Sequence, residues 1–162
     1  MLIEDLVQLA AIGIFTFLPA YLANASALAF GGGRAIDGNR LFVDGKPMLG
    51  SNKTVRGFMA GVATGVLVGL VQGEPLLGFA MGFGAVLGDV AGAFIKRRLS
   101  LPPGTPLPGL DQFDFLIGAY AISHPILDLP PASIALVFIC TPAIHVISNY
   151  ISYMIGIKKV PW

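Results

Sequence analysis

Five long apolar runs, separated by short polar segments, extend along the chain of 162 residues. The runs are continuous rather than alternating, and this pattern indicates helices rather than strands. A helix also satisfies its own backbone hydrogen bonds, as any segment that crosses the bilayer core must do. The sequence therefore predicts an all-α integral membrane protein with five transmembrane helices, at residues 6–30, 57–73, 76–95, 112–127 and 132–157.

The composition agrees with a location in the lipid bilayer. Hydrophobic residues make up 55% of the chain and charged residues only 12%, and a soluble domain of this size could not cover such a surface with polar groups. The net charge of +1 gives no reason to expect a nucleic-acid partner. We expect residues 1–162 to form a single transmembrane domain, and the oligomeric state is left open.

Positive charge is distributed unequally between the two sides that these spans define. All ten lysine and arginine residues fall on one side, in two large loops and the C-terminal tail. Cytoplasmic segments of membrane proteins are enriched in Lys and Arg, so we predict a multi-pass protein of the cell membrane with cytoplasmic loops, its N-terminus out and its C-terminus in. The basic residues are Arg34, Arg40, Lys46, Lys53, Arg56, Lys96, Arg97, Arg98, Lys158 and Lys159.

Glycine recurs every four residues in the second and third spans. Small residues at this spacing let the backbones of neighbouring membrane helices touch, and we expect packing rather than chemistry from these positions. They are Gly61, Gly65, Gly69, Gly73, Gly84, Gly88 and Gly92.

Asp89 lies inside the third span, about 10 Å of helix rise from its cytoplasmic end. A carboxylate at that depth needs a cation, a partner or a water-filled cavity, so it indicates a functional site. Lys96 projects from the same face of the helix two turns later. A purely structural ion pair between Asp89 and Lys96 is the alternative.

Asp111 and Asp114 stand three residues apart at the start of the fourth span and share a helix face. Adjacent carboxylates repel each other unless a cation lies nearby. Oxygen-only ligands favour Mg²⁺, which also bridges to phosphate, so we expect Asp89, Asp111 and Asp114 to hold Mg²⁺. Alternatively, the two acids only complement the dipole at the helix N-terminus.

The loop between the first two spans is predicted to be ordered, with a small hairpin that turns at Asp44-Gly45. Its end carries Ser51 or Asn52 as a cap for the second span. Lys53 follows, and a lysine at the start of a helix suits a phosphate. The alternative treats Lys53 and Arg56 as ordinary anchors at the cytoplasmic interface.

Lys96-Arg97, followed downstream by the Gly-Leu-Asp-Gln-Phe-Asp segment at 109–114, resembles the signature of the phosphatidate cytidylyltransferase family. The short chain and its Pro-x-Leu-Asp-Gln-x-Asp segment are more similar to the archaeal CDP-archaeol synthases of that family. The general signature has Lys-Asp where this chain has Pro102-Pro103, and Asp-Arg-x-Asp where this chain has Asp-Gln-Phe-Asp. These differences favour the archaeal branch.

The resemblance implies a Mg²⁺-dependent enzyme of phospholipid biosynthesis with its active site facing the cytoplasm. It would transfer CMP from CTP to an isoprenoid ether-lipid phosphate, 2,3-bis-O-geranylgeranylglycerol 1-phosphate, giving CDP-archaeol and pyrophosphate. In such an enzyme Asp89, Asp111 and Asp114 would hold the metal, while Lys96 and Arg97 would clamp phosphate oxygens. Further candidates are Lys53, Thr54 and Arg56 for the triphosphate, and Asn39, Arg40 and Asn52 for the base or ribose.

A small ion or metabolite transporter that uses the intramembrane Asp89 is the alternative from a different class. It would distribute polar groups through the full membrane depth, whereas the ionisable residues within the spans, apart from two histidines, cluster toward one side. A CDP-alcohol phosphotransferase is disfavoured because its paired Asp-Gly and Ala-Arg arrangement is not found in this sequence. A purely structural membrane subunit is the least specific alternative.

Overall fold

The structure is a computed structural model that describes residues 2–156. Within that range its regular elements are helical, as the sequence predicts. They are α1 (Leu2–Thr16), α2 (Leu18–Ala29), α3 (Val55–Gln72), α4 (Pro75–Arg98), α5 (Leu110–Ser123), a 3-10 turn (His124–Ile126) and α6 (Pro131–Met154). Lys158, Lys159 and the predicted end of the last span at 157 lie outside the described residues.

The helices belong to two compact units. Among the described residues, one unit consists of 2–18 and 128–156, and the other is Pro19–Leu127. In the first unit, Gly13 of α1 packs against the side chain of Val137 in α6. The second unit contains α2 to α5 and all of the candidate site residues. The expectation of a single catalytic domain stays a prediction.

The first predicted span, 6–30, consists of two helices rather than one. α1 ends at Thr16 and α2 begins at Leu18, so the helix is interrupted at Phe17. Pro19 explains the break, because its ring has no N–H to donate and would clash with the carbonyl four residues earlier in a continuous helix.

Three helices, α3, α4 and α6, are long and apolar enough to cross a membrane, and α1 with α2 adds a fourth span if the broken pair counts as one. α5 contains 14 residues, which rise about 21 Å and fall short of a hydrocarbon core of about 30 Å. The structure therefore supports a helical protein with several membrane spans. The count of five spans and the orientation stay predictions.

Glycine brings the backbones of α3, α4 and α5 into direct contact. Gly65 lies against Gly82, and Gly69 lies against Gly78, with no space for a side chain on either helix. α4 meets the backbone of α5 in the same way at Gly84. The packing role predicted for Gly65, Gly69 and Gly84 is confirmed, because a methyl group at any of these positions would overlap the neighbouring helix.

Gly73 has a different role from the one its spacing predicts. It adopts the left-handed conformation with φ of 81° and ends α3, where its N–H donates to the carbonyls of Gly69 and Leu70. No heavy atom lies within 4 Å of the place where its Cβ would be. Pro75 then begins α4 at a position where its missing N–H costs nothing. The turn between α3 and α4 is therefore short.

Candidate active site

An ion pair joins Lys53, at the end of the first loop (residues 30–54), to Asp89 in α4. The Nζ of Lys53 lies 2.5 Å from the Oδ2 of Asp89, and each side chain is 23% exposed. The partner of the intramembrane carboxylate is thus a loop lysine. The structural alternative of an Asp89–Lys96 ion pair is wrong, because Lys96 is paired elsewhere.

Lys96 is paired with Asp111 at the start of α5. Its Nζ lies 2.6 Å from the Oδ1 of Asp111 and also donates to the carbonyl of Thr105, at 3.2 Å. The other carboxylate oxygen of Asp111 accepts the backbone N–H of Leu107, at 2.9 Å. This ion pair therefore connects α4 and α5 to the second loop (residues 99–109).

Asp114 occupies a space that glycine leaves open on α4. Its carboxylate lies against Gly92, and its backbone carbonyl lies against Gly88, so that a Cβ at either glycine would overlap it. The Oδ1 of Asp114 accepts the backbone N–H of Phe115, at 2.6 Å. Gly88 and Gly92, which the sequence assigned only to packing, therefore also set the position of a site carboxylate.

The three carboxylates and two lysines form one electrostatic group. Asp114 lies within electrostatic range of Asp89, Lys53 and Asp111. Two of the carboxylates, Asp89 and Asp111, are paired with lysines, and Asp114 makes no ion pair with a residue that the structure describes. The donor oxygens of the group are the type that Mg²⁺ prefers. Within residues 2–156, however, no three His, Cys, Asp or Glu side chains are gathered closely enough to form a ready metal site. The Mg²⁺ site stays a prediction.

Arg97 lies between the two loops and is only 4% exposed. Its Nη2 donates to the carbonyl of Pro102, at 3.2 Å, and its Nη1 lies near Gly50 of the first loop. The Nε and Nη1 atoms are buried and have no hydrogen-bond partner among residues 2–156. This geometry holds the loops together, and the phosphate contact expected from the sequence would require them to open.

The predicted hairpin in the first loop is confirmed, and it is fastened to the end of α4. Phe42 and Lys46 are joined by a backbone hydrogen bond of 2.8 Å across the Asp44-Gly45 turn. The Nη1 of Arg98 lies 2.6 Å from the Oδ1 of Asp44, and the Nζ of Lys46 donates to the carbonyl of Arg98, at 2.8 Å. The guanidinium of Arg98 also lies 4.8 Å from the ring centroid of Phe42.

Asp37 organises the first loop, and sequence reasoning did not select it. Its carboxylate accepts the backbone N–H groups of Asn39 and Leu49, each at 2.9 Å, and of Gly50, at 3.3 Å. Burial raises the pKa of Asp37, but these backbone hydrogen bonds outweigh burial, so the pKa lies below its ordinary value of 3.8. The Asp-Gly-Asn sequence at 37–39 was the available signal, since Asp often bonds the backbone two residues on in a turn.

Thr54 caps α3, whereas the sequence predicted Ser51 or Asn52. The Thr54 hydroxyl accepts the backbone N–H of Gly57, at 3.2 Å, and that of Gly32, at 3.1 Å. The prediction was wrong because α3 begins at Val55, later than either candidate cap requires. Thr54 thereby joins both ends of the first loop.

Arg56 also serves the loop ends in this structure. Its Nε donates to the carbonyl of Phe30, at 2.8 Å, and its Nη2 donates to the carbonyl of Gly31. Both acceptors directly follow α2. The donors of Arg56 are therefore directed at backbone carbonyls, and the prediction that it binds phosphate has no support from these contacts.

The three residues expected to contact the base or ribose lie in two places. Asn39, which has φ of 59°, and Arg40 are exposed in the first loop. Arg40 lines a cavity of about 350 Å³ together with Arg34 and Asp37. Asn52 is also exposed, and its Nδ2 approaches Gly104 of the second loop. The structure thus does not gather these three residues around the group of three carboxylates and two lysines.

Comparison with known protein families identifies the family to which the chain belongs. The family model of CarS-like CDP-archaeol synthases matches residues 5–76 and 74–162, which together include almost the whole chain. The chain belongs to the CDP-archaeol synthase family. Membership confirms the resemblance that the Lys96-Arg97 pair and the 109–114 segment predict.

Curated members of the family are similar to this chain over nearly their full length. The CDP-archaeol synthase of Thermococcus gammatolerans is 45% identical, over 92% of this chain and 94% of its own length. The CDP-archaeol synthase of Methanopyrus kandleri is 43% identical, over 93% of this chain and 92% of its own length. The similarity therefore includes both loops and the helices that they join.

A solved structure of an intramembrane enzyme for archaeal membrane lipid biosynthesis has the same architecture. The two chains are 36% identical, with a TM-score of 0.76, over 86% of this chain and 94% of the solved one. This likeness supports an intramembrane fold for the present chain.

Proposed function

We propose that the protein transfers a cytidylyl group from CTP to an archaeal ether-lipid phosphate, 2,3-bis-O-geranylgeranylglycerol 1-phosphate, giving CDP-archaeol and pyrophosphate. One observation carries the proposal. In a chain of the CDP-archaeol synthase family, three carboxylates and two lysines meet where the first loop, α4 and α5 converge. Cations for phosphate and oxygen ligands for a divalent ion are both required by nucleotidyl transfer, and this group provides both.

The proposed reaction needs no nucleophile from the protein, because the lipid phosphate is itself the nucleophile. One of its oxygens forms a bond to the α-phosphorus of CTP while the bond from that phosphorus to pyrophosphate breaks. The chain contributes positioning and electrostatic stabilisation. Lys53 and Lys96 bind phosphate oxygens of the nucleotide, and the ammonium groups offset charge on the departing pyrophosphate.

Asp89, Asp111 and Asp114 are the residues proposed to hold Mg²⁺. The fit rests on their oxygen donors and on Asp114, which makes no ion pair with any residue that the structure describes. When bound, the ion would supply positive charge to the nucleotide phosphates.

The other candidate residues are assigned to two tasks in this proposal. Arg97, Thr54 and Arg56 hold the loops that form the site, since their polar atoms contact backbone groups. Asn52 lies beside the second loop, and Asn39 and Arg40 lie in the first loop. In this proposal these three residues contact the base or ribose.

We further propose five membrane spans in the cell membrane, with α1 and α2 forming one broken span and α5 forming a short one. The N-terminus would lie outside, and both loops would lie in the cytoplasm, because the basic residues are concentrated in the loops. This orientation would let a soluble nucleotide reach the site while the lipid chains remain in the bilayer. The orientation can be tested with cysteines introduced into the hairpin and just before Pro75. Their accessibility is measured in sealed vesicles.

Purified protein in detergent, supplied with Mg²⁺, labelled CTP and the geranylgeranyl ether-lipid phosphate, should form CDP-lipid and pyrophosphate in equal amounts. The same preparation with lipid alcohol in place of lipid phosphate should form neither, since the attacking phosphate oxygen is missing. The proposal would be refuted if the protein forms no product with the lipid phosphate although a thermal-unfolding measurement shows that it is folded. The transporter alternative is not favoured, since the family is one of synthases.

A further inference from the structure

The two lysines proposed to bind nucleotide phosphate are already occupied in the free protein. Lys53 contacts Asp89 at 2.5 Å, and Lys96 contacts Asp111 at 2.6 Å. The four side chains are between 15% and 23% exposed, so an anion that approaches either lysine competes with a carboxylate already in contact with it. Removing one member of such a pair leaves a half-buried charge that must find another partner.

We propose that Asp89 and Asp111 stand in for phosphate in the free protein, and that nucleotide and divalent cation exchange partners with both ion pairs on binding. The nucleotide phosphates bind Lys53 and Lys96, and the cation binds the released carboxylates of Asp89 and Asp111. This inference rests on the proposed function, because it concerns how the same site binds its nucleotide and its divalent cation.

The exchange makes nucleotide and cation binding interdependent. A triphosphate alone would displace carboxylates that then have no partner, beside Asp114, which also lies within electrostatic range. A cation alone would leave both lysines without a carboxylate partner. Each ligand therefore relieves the penalty that the other creates, and the coupling must act equally in both directions.

The test is calorimetric binding of CTP to the purified full chain, with EDTA and then with Mg²⁺. Asp89→Asn should raise the affinity for CTP in EDTA by about tenfold, because it frees Lys53 to make a charge-assisted hydrogen bond. With Mg²⁺ the same substitution should lower the affinity, because a cation ligand is lost. A loss of affinity in EDTA would overturn the inference.

A double variant separates the exchange from the simple loss of a negative charge. If Lys53 is the group released, Lys53→Met combined with Asp89→Asn should abolish the gain in EDTA. A gain that persists in the double variant would overturn the inference. Lys53→Met alone should raise the affinity for Mn²⁺ in the absence of nucleotide, since it frees Asp89, and an unchanged Mn²⁺ affinity would also overturn it.

Asp44→Asn is the matched control, because Asp44 pairs with Arg98 outside this group of charges. CTP affinity in EDTA should be unchanged in this variant, and a tenfold gain there would overturn the inference. Failure of the inference is distinguishable from failure of the proposed function. Wild-type protein that forms CDP-lipid while Asp89→Asn shows no gain in EDTA refutes only the exchange, whereas wild-type protein without product refutes the function.

Discussion

The carboxylate of Asp114 lies against Gly92, in the space that any side chain at position 92 would fill. One turn earlier on α4, Gly88 lies against the backbone carbonyl of the same residue. The position of this carboxylate therefore depends on glycine, which has no side chain, at two positions of the neighbouring helix. This relationship makes the glycines as important to the site as the acids that they accommodate.

Gly92→Ala should therefore inactivate the protein while leaving every ionisable residue present. The added methyl would overlap the Asp114 carboxylate and force α5 or the side chain to move, at a cost of about 1–3 kcal/mol in the free energy of unfolding. CDP-lipid formation and the thermal unfolding midpoint should both fall.

Ala91→Ser is the control for Gly92→Ala, because it adds one heavy atom to the exposed residue that directly precedes Gly92 on the same helix. It should leave activity and Tm close to those of the wild type. Wild-type activity in Gly92→Ala would show that the packing of Asp114 against α4 is not needed for the site.

Asp89→Asn, Asp111→Asn and Asp114→Asn should each reduce CDP-lipid formation by on the order of 100-fold or more, because each removes a carboxylate proposed to hold the Mg²⁺ that offsets charge on the reacting phosphates. The rate is measured with saturating Mg²⁺ and CTP. Asp44→Asn should keep a rate near that of the wild type, since its ion pair with Arg98 lies elsewhere. Normal rates in two of the three site variants would disprove the proposed metal site.

Thr54→Val should destabilise the protein by about 1 kcal/mol, because it removes the cap of α3. The loss includes the hydrogen bond from Gly32, so the ends of the first loop also separate. Thr54→Ser keeps the hydroxyl and should restore both Tm and activity. Equal unfolding midpoints for the Val and Ser variants would argue against the capping role.

The stability that Asp37 provides should depend on pH in one direction. Its pKa in the folded chain lies below 3.8 because of the backbone N–H groups that it accepts. The contribution is therefore fully present above pH 3.8 and is lost as the pH falls through the folded pKa. Asp37→Asn should lower Tm at neutral pH, and the difference from the wild type should shrink in acid. A difference that grows with acidity would contradict this assignment.

The sequence predicted the kinds of residue in the site better than their partners. Asp89, Asp111 and Asp114 stand out because carboxylates are rare within or beside apolar helices. The helical repeat likewise predicted that Lys96 shares a face with Asp89. It could not predict that Lys53 reaches Asp89 instead, because that contact depends on how a loop of more than twenty residues folds.

At several positions one sequence pattern predicted a structure that a second local feature prevents in the folded chain. Apolar length predicted one span at 6–30, while Pro19 divides that segment into two helices. Glycine spacing assigned Gly73 to a helix interface, yet its left-handed backbone ends α3. Arg97 is a similar case. Nothing in the Lys-Arg pair distinguishes Lys96, which reaches a carboxylate, from Arg97, which is buried and donates to the carbonyl of Pro102.

Backbone contact through glycine has a mechanical consequence for α3, α4 and α5. Helices that touch without intervening side chains have no rotamers to adjust, so they cannot slide past each other by small, inexpensive steps. Displacements during turnover should therefore arise in the two loops, which carry Lys53 and contact Lys96 through Thr105. Rigid helices would fix the carboxylates in place, and the surrounding chain would supply the motion that admits a nucleotide and releases its products.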